Sequence, residues 1–531
     1  MTDAIRLSKL AAISAFAAIA VTACGPDRPG EGPRTEVTRD QIEEGLGALG
    51  MAEESRMEWD SSVIDGGVAV FTGVTRPDSE LPGRIGRFSI AAPRVEGGVT
   101  RFDALEAEDL TVEDEDQITR LERLKVDQPG PGLSQWLSDV MAGRMNEGGY
   151  EPPSRSAADY TFSEVSMSGM TIAPRDNGAA PTGRIARMAL EDFDGQKLGR
   201  AVIEGMAFRD AGEAGEAFMF ALEEFSMTGM DALFAEIFLN LDDETGFPAL
   251  GDAFGDAMSA WMRPTGAFDA MRVRGLELAA GGASIDMPSM DMRYETRRDD
   301  SIDIIAEMPS LRIALSPDAP EMAEASQMLA MMGYEVLEFA AYSRTRFDPQ
   351  ADRATTTLDD YWFELTDGLR ISLAQDVTGL QAYSDATAAL MSEMIILAEE
   401  DPAQLDAADE RLLEAYGHLK VNAMTIRIED RDLVSRLIAM NAQMQGVSPE
   451  EARMQAATMV SLGIAMAGGM LPDGLALQLG GAISALISEG GAVELVMNPD
   501  EPVGMDLFFK LDEDMSVLSD LGLSVRHIPP Q

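Results

Sequence analysis

The chain has 531 residues, with 41 lysines and arginines against 92 aspartates and glutamates, so its formal net charge is −51. Such a surface repels the phosphates of nucleic acids and anionic lipid headgroups, which excludes a nucleic-acid-binding protein. Hydrophobic residues make up 45% of the chain, so we interpret the acidity as a solvated surface around a folded core. The alternative is that carboxylate clusters bind divalent cations, but no segment has the spacing of an EF-hand loop.

The N-terminus has the layout of a secretory signal peptide. Arg6 and Lys9 form a basic region, and the apolar run Leu10–Val21 follows it. This run is shorter than the roughly 20 residues that a helix needs to span a bilayer. The sequence therefore predicts a segment, residues 1–23, that is removed on export.

The motif Val21-Thr22-Ala23-Cys24 resembles the lipobox of bacterial lipoproteins, with Val21 in place of the usual leucine. In that class the cysteine becomes the first mature residue, and it carries a diacylglycerol and usually an acyl chain. Cys24 is the only cysteine of the chain. The resemblance implies a lipidated Cys24 that anchors the protein to a membrane; the alternative is a chance cysteine after an ordinary cleavage site.

Residues 24–37 combine the predicted lipidated cysteine with a tether rich in glycine and proline. Such a composition does not pack and behaves as a linker. Gly25 follows the cysteine at the position where enteric lipoproteins retained in the inner membrane carry aspartate. We therefore expect the cell envelope as the location, with the outer membrane, facing the periplasm, favoured over the inner one.

Five segments share one apolar pattern, with apolar residues at positions four, six and nine and a small or turn-prone residue at position eight. They are Phe102–Val112, Phe162–Ile172, Leu222–Ala232, Phe268–Leu278 and Tyr416–Ile426, and their eighth residues are Asp109, Gly169, Gly229, Gly275 and Ala423. Side chains of a strand alternate between its faces, so positions six and nine would lie on opposite faces of a regular strand. An extra residue at position eight, a β-bulge, would return them to one face.

The remaining pattern predicts strands interrupted by helices. The predicted helices are Thr38–Glu54, Leu133–Asn146, Asp231–Met262, Pro320–Met332, Gln381–Glu399, Pro402–Tyr416, Asp432–Gln445, a helix from Ser448 to about Met470, and Leu475–Ser488. The chain closes with predicted strands Val493–Asn498 and Val503–Leu511 and a loose tail, Ser524–Gln531. We expect an α+β fold: a long, curved, mostly antiparallel sheet built from irregular strand repeats, with helices covering one face.

Two larger regions follow from this pattern. A repeat-β region with inserted helices is expected over residues 38–428, and a C-terminal helical segment with closing strands over residues 429–531. The strands between about 57 and 428 resemble, through alternation with a glycine-containing break, the periplasmic repeat-β proteins of the AsmA type. That family builds a long curved sheet with an apolar concave face and is linked to moving or holding lipids. This chain differs in its lipid anchor and its many helices, and no functional residue is transferred from the family.

No catalytic or metal-binding constellation accompanies these elements. The two histidines, His418 in a predicted strand and His527 in the tail, are far apart in sequence, and phosphate-binding and nucleophile motifs are absent. Carboxylate pairs such as Asp359/Asp360 are expected in any chain this acidic. We therefore predict a protein that is not an enzyme, with no cofactor and no metal.

Two hypotheses for function remain open. One is an envelope lipoprotein that binds a lipid or other apolar ligand in a groove between sheet and helices. The other is a scaffold or assembly factor that presents an acidic surface to envelope proteins. Residues 456–487 contain a single charge, Asp473, so we expect the helices there to be buried; whether they form an ordinary core or face a ligand is left open.

Overall fold

A computed structural model of the chain describes residues 35–52, 57–76, 83–114, 117–144, 159–175, 182–210, 218–231, 268–387, 389–390, 406–467, 472, 474–510 and 518–530. The predicted signal peptide, Cys24 and residues 232–262 of a predicted helix lie outside these ranges. The chain divides into two compact units, unit 1 over Met1–Leu239 and unit 2 over Asn240–Gln531. The fold class is α+β as predicted, with twenty described strands in antiparallel sheet.

Unit 1 contains two described helices and eleven strands. The helices are α1 (Arg39–Ala48) and α2 (Pro131–Ala142). The strands are β1 (Ser61–Asp65), β2 (Val68–Thr75), β3 (Gly83–Ala91), β4 (Arg94–Glu96), β5 (Val99–Arg101), β6 (Ala104–Glu113), β7 (Gln117–Asp127), β8 (Phe162–Pro174), β9 (Gly183–Phe193), β10 (Lys197–Asp210) and β11 (Phe218–Asp231). Nine of them pair in the order β1-β2-β3-β6-β7-β8-β9-β10-β11, and β4 and β5 form a separate hairpin.

Local signals set several of these boundaries. Thr38 begins α1 with a capping box, in which its side chain accepts from the backbone N–H of Gln41 and the Gln41 side chain reaches back to Thr38. The predicted hairpin turn at Asp65-Gly66-Gly67 is confirmed, because β1 ends at Asp65 and β2 starts at Val68. Both glycines have positive φ, as a tight turn requires.

The eighth residue of each pattern copy in unit 1 has the left-handed conformation that suits a bulge, but the strand does not gain the predicted extra residue there. Asp109, Gly169 and Gly229 all have φ between 55° and 65°. No strand gains a residue there, however, since Ser168 pairs with Arg187 and Met170 with Ile185 across Gly169. The predicted bulge is therefore wrong at this position. The pairing is interrupted at the same place on both strands, so their register is the same before and after the interruption.

The interruptions at Asp109 and Gly169 belong to one column across the sheet of unit 1, which we call the crease; Gly229 lies outside it, opposite Gly199. The crease passes through adjacent strands at Gly73, Gly86, Asp109, Glu122, Gly169, Ala186, Gly205 and Glu223, where the pairing ladder is broken each time. Every second strand supplies a left-handed residue, namely Gly73, Asp109, Gly169 and Gly205. The sequence pattern found two of these four.

The crease restores the apolar residues to one face, as the pattern required. Met167 and Met170, on either side of Gly169, pack in one cluster with Leu121 and Leu110. Glycine is needed at position 169 for two reasons: its φ is +64°, and a Cβ there would lie 2.4 Å from Cγ of Glu122 on the neighbouring strand.

One end of this apolar face is closed by α1 and α2. Phe71 and Phe88, from adjacent strands, are 3% and 5% exposed and pack with Ile42 of α1 and Leu137 of α2. Trp59 completes the core, with its ring 5.1 Å from that of Phe71. We call this the closed core.

The opposite face of the same strands carries ion pairs between neighbours. Arg87 of β3 contacts Glu108 of β6 at 3.1 Å, and Lys125 of β7 contacts Glu164 of β8 at 2.6 Å. Arg187 of β9 lies 3.7 Å from Glu204 of β10 and also contacts Glu191 of its own strand at 2.7 Å. The charge of this unit is therefore concentrated on one side of its sheet, and apolar packing on the other.

Unit 2 contains five α-helices whose bounds the structure gives, one 3-10 helix and eleven strands; residues 380–387, at the start of the predicted helix Gln381–Glu399, are also helical. The helices are α3 (Ala323–Met331), α4 (Asp406–Tyr416), α5 (Leu433–Gln445), α6 (Pro449–Ala467) and α7 (Leu475–Glu489), and the 3-10 helix is Met505–Lys510. The strands are β12 (Ala270–Ala280), β13 (Ala283–Thr296), β14 (Ile302–Leu315), β15 (Leu337–Asp348), β16 (Arg353–Thr356), β17 (Tyr361–Leu365), β18 (Leu369–Thr378), β19 (Lys420–Asp430), β20 (Ala492–Met497), β21 (Val503–Gly504) and β22 (Leu523–Ile528). They pair in chain order from β12 to β15; β16 and β17 both lie between β15 and β18, followed by β19, then β20 and β21, with β22 beside β20.

The two pattern copies of unit 2 differ from each other. Gly275 has φ +56°, as predicted. In the last copy the strand begins only at Lys420, because Tyr416 is the final residue of α4. A true bulge occurs there at Asn422 and not at Ala423, since consecutive residues of β18 pair with Ala423 and Val421.

The C-terminal segment corrects three predictions. The tail expected to be loose forms β22, which pairs with β20 along its whole length. The predicted strand Val503–Leu511 is strand only at Val503–Gly504 and continues as the 3-10 helix Met505–Lys510. Residues 456–487 were expected to be buried, yet Met459 is 61%, Leu462 62% and Leu477 83% exposed.

Candidate functional site

One face of the unit 2 sheet is apolar across five neighbouring strands. Directly paired residues share a face, so Ala341, Phe363, Ile371, Ile428 and Val493 form one row from β15 to β20. Strand β19 supplies this face at every second residue, and its bulge at Asn422 keeps Val421 on the same side. The face is therefore continuous from Val421 to Ile428.

The Val421 end of the face is packed. Phe347 and Val421 are 1% and 0% exposed and form a core with Ile302, Ala354 and Val377. The 3-10 helix covers this end, because Met505, Leu507 and Phe508 pack on the same cluster. The 3-10 helix of the C-terminal segment therefore closes this end of the face.

The other end is open among the described residues. Phe363, Ile371 and Ile428 are 37%, 36% and 41% exposed although their strands are paired on both sides. Phe339 of β15 stacks on Phe363, with 5.4 Å between ring centroids. We call Phe339, Phe363, Ile371 and Ile428 the floor.

Helix α7 borders the floor on one side. Leu475, Leu479 and Ala482 pack on Val493 and Val525 of β20 and β22. Val493 pairs directly with Ile428, so cover by α7 on the face stops at the strand next to the floor. The floor, the packed Val421 end and α7 together give an apolar surface with one closed end and one side wall.

The only carboxylate in register with the edge of the floor is committed elsewhere. Asp430 pairs with Leu369, and its Oδ1 accepts from the backbone N–H of Val434 at 2.9 Å in the first turn of α5. Helix α5 is also held by Arg436, which donates to the carbonyls of Met332 and Gly333 and lies 4.6 Å from the ring centroid of Tyr334. The row that runs through the floor has no charged residue, and the carboxylate of Asp430 beside it bonds to α5.

The reverse side of these strands is charged. Glu494 of β20 is 1% exposed and accepts from Arg427 on one side, at 2.7 Å, and from Arg526 on the other. Burial by itself would raise the pKa of Glu494, but the hydrogen bonds and charges of the two arginines outweigh it and hold the pKa below its usual range. The carboxylate therefore stays ionised.

Asp303 of β14 has the same arrangement with more arginines. It is 2% exposed, with Arg297 and Arg344 at 2.6 and 2.5 Å and Arg346 at 3.7 Å. Burial acts to raise its pKa, and the hydrogen bonds from Arg297 and Arg344 lower it more, so the net direction is downward. Both carboxylates link strands from within and are structural, since each is enclosed by its own partners.

The histidines occupy positions that differ from the predicted ones. His418 lies in the turn before β19 and not in a strand. His527 lies in β22, where its Nε2 is 2.7 Å from the carbonyl of Gly490. Within the described part of the chain, no group of three or more histidine, cysteine, aspartate or glutamate side chains is placed to hold a metal ion.

The floor was not recognised from the sequence. The sequence pattern predicts strands at Tyr334–Phe347, Ala354–Leu365 and Leu369–Leu373, and the structure divides the second of these into β16 and β17. Alternation indicates that one face of a strand is apolar but not what covers that face. The signal that could have pointed to the floor is the aromatic pair Phe339 and Phe363 on neighbouring strands.

A model of a family described as an uncharacterized protein matches residues 362–527. The match begins within β17 and ends within β22, so it covers most of the floor together with α7 and the 3-10 helix. No curated protein matches the chain. Among the described residues, no helix combines the length and apolarity needed to cross a membrane.

Proposed function

We propose that this protein is a membrane-anchored envelope lipoprotein, attached through Cys24, that binds a lipid or another apolar ligand on the floor of unit 2. The observation that supports the ligand is the set of three half-exposed apolar residues, Phe363, Ile371 and Ile428, at the centre of a sheet. An apolar sheet interior ordinarily packs against another layer, since exposing it forfeits about 25 cal/mol for each Å² left in water. An apolar ligand would supply that layer.

The chemistry of the floor favours an acyl chain or a similar hydrocarbon. Its four side chains carry no polar atom, and the nearest carboxylate in register, Asp430, is bound to α5. Stacked aromatic rings and branched aliphatic side chains give a broad surface for dispersion contacts. A ligand headgroup would lie at the open edge, away from the packed Val421 end.

Native mass spectrometry of the protein purified from its own host, followed by organic extraction, tests this proposal. We expect a co-purifying lipid at a defined stoichiometry, and a loss of that lipid in Phe363→Ser and Ile371→Ser. The matched control is Val63→Ser in β1, which removes an apolar side chain that is 61% exposed outside the floor.

Two results would contradict the ligand. One is a protein mass that contains no lipid beyond the acyl groups on Cys24, together with an extract without lipid. The other is equal lipid loss in the floor variants and in Val63→Ser. In the first case, a cross-linked envelope protein would support the scaffold alternative. The anchor is tested separately by Cys24→Ser, which should remove the acyl mass and release the protein from the membrane fraction.

A further inference from the structure

Helices α6 and α7 form a hairpin in which the charged residues of the helices themselves lie at one end; the segment that joins the helices contains one charge, Asp473. Ser461 bonds to Ser484 at 2.9 Å, and a Cβ on Gly480 would meet the side chain of Ile464, so the two helices run antiparallel. Glu450, Glu451 and Arg453 lie at the start of α6, and Glu489 ends α7. The charged residues therefore lie at the same end, and residues 454–467 and 475–488 carry no charge.

The uncharged part of the hairpin exposes large apolar side chains. Met454, Met459, Leu462 and Leu477 are 68%, 61%, 62% and 83% exposed, and we call them the hairpin surface. Each helix buries its other side: Ala452 and Ala457 pack with Ile487 and Ile438, and Leu475 packs on β22. In a chain of net charge −51, a neutral apolar surface of this kind marks an interaction site.

The hydroxyl groups on the same helices are satisfied from within. Thr458 donates to the carbonyl of Met454 at 2.8 Å, Ser461 to that of Ala457 at 2.9 Å, and Ser488 to that of Ser484 at 2.8 Å. Hydroxyls that bond to the preceding turn need no water and no partner protein. This arrangement is the one required in lipid, where an unsatisfied polar group is costly.

We propose that the hairpin surface inserts into the interfacial layer of an electrically neutral bilayer, as a membrane contact additional to the anchor at Cys24. A protein partner would be expected to form hydrogen bonds or ion pairs with this surface, since protein interfaces carry about one hydrogen bond per 100–200 Å². The hairpin surface offers apolar side chains and hydroxyls already bonded internally. Hydrocarbon is the occupant whose chemistry matches both features.

The test uses the mature chain, residues 24–531, with Cys24→Ser, so that an acyl anchor plays no part and introduced cysteines are unique. Leu462→Cys and Leu477→Cys are labelled with an environment-sensitive fluorophore and titrated with phosphatidylcholine vesicles containing brominated acyl chains. The control is Met328→Cys on α3, which is 51% exposed on another helix. We expect a blue shift and bromine quenching at 462 and 477 and neither at 328.

A second arm measures binding without a label. Because a charged side chain is unfavourable in contact with hydrocarbon, Leu462→Glu and Leu477→Glu should each weaken vesicle co-flotation about tenfold, whereas Met328→Glu should not. Absence of quenching at 462 and 477 over the whole titration would overturn the proposal. A blue shift that appears without vesicles and grows with protein concentration would also overturn it, by assigning the surface to a second copy of the chain. The result is independent of the floor, whose ligand is detected by extraction and not by vesicles.

Discussion

The closed core of unit 1 and the floor of unit 2 are both apolar faces of antiparallel sheets, but helices cover the first and leave the second partly exposed. In both, aromatic and branched side chains form rows across antiparallel strands. In unit 1, α1 and α2 lie over Phe71 and Phe88 and leave them 3% and 5% exposed; in unit 2, Phe363 is 37% exposed. The comparison teaches that the strand pattern sets which face is apolar, and that the helices between the strands decide whether that face becomes a core or stays exposed.

The largest effect expected from this comparison is a difference between two phenylalanines. Phe71→Ala should lower the free energy of unfolding by about 3–5 kcal/mol, because it removes a buried ring and leaves a cavity. Phe363→Ala should cost about 1 kcal/mol, since much of its ring is already in water. Urea unfolding followed by a signal from each unit measures both. Equal losses would show that the floor is covered in solution.

A second test stays within one strand. Val421 and Ile428 lie on the same face of β19, and they are 0% and 41% exposed. Val421→Ala should destabilise unit 2 by about 2 kcal/mol and Ile428→Ala by less, although isoleucine is the larger side chain. If Ile428→Ala costs more, the open end of the face is packed and the ligand proposal loses its basis.

A third test asks whether the crease is needed for the apolar face of unit 1. Gly169→Ala should cost about 1–2 kcal/mol, because a left-handed conformation is unfavourable for alanine and the new Cβ would contact Glu122. Gly47→Ala in α1 is the matched control: it has open space around it and sits in a helix, where alanine is favoured over glycine. Thermal unfolding compares the two, and equal melting temperatures would contradict a structural role for the crease.

The smallest effect expected is on pH dependence, and its sign differs between Glu106 of unit 1 and two carboxylates of unit 2. Asp303 and Glu494 have lowered pKa values in the folded chain, because their arginines outweigh the burial that raises them. Their contribution is therefore complete above the ordinary carboxyl pKa of about 4 and is lost as the pH falls through the lower folded values. Burial raises the pKa of Glu106 in unit 1, partly opposed by Arg123, so protonation favours the folded form there.

Hydrogen exchange at acidic and neutral pH checks this difference. Amides of β14, β20 and β22 should lose protection as the pH falls below about 4, whereas protonation of Glu106 should not by itself lower the protection of β6. Glu494→Gln removes most of the acid sensitivity of β20 and β22 if the interpretation holds. Retained sensitivity in that variant would assign the effect to other carboxylates.

Much of the secondary structure follows from local signals in the sequence. Thr38 and Ser448 each mark a helix start; in the second, the Ser448 hydroxyl accepts from the backbone N–H of Glu451. The left-handed residues at Asp109, Gly169, Gly229 and Gly275 follow from apolar spacing, since only a reversal of side-chain parity puts positions six and nine on one face. Gly205 carries the same pattern, with Ile203 and Met206 as its neighbours, and was not recognised.

The errors arise where distant segments decide the outcome. Ser524–Gln531 has little periodicity, and it becomes β22 because β20 offers an edge to pair with. The hairpin surface was expected to be buried because α6 and α7 are apolar on all sides, yet the described layers cover only one side of each helix. Composition indicates that a helix avoids water, but not whether protein or lipid replaces that water.

The crease has a consequence for how the chain could have grown. Within the crease, left-handed residues occur on every second strand, and the register is unchanged on both sides of them. The unit of construction is then a pair of strands with one left-handed residue, to which helices of any length can be added at the turns. Duplication or loss of such a pair preserves every remaining contact along the crease, whereas loss of a single residue within one strand breaks it. Related sequences should therefore differ in length by whole strand pairs and by the segments between them, and rarely inside the strands.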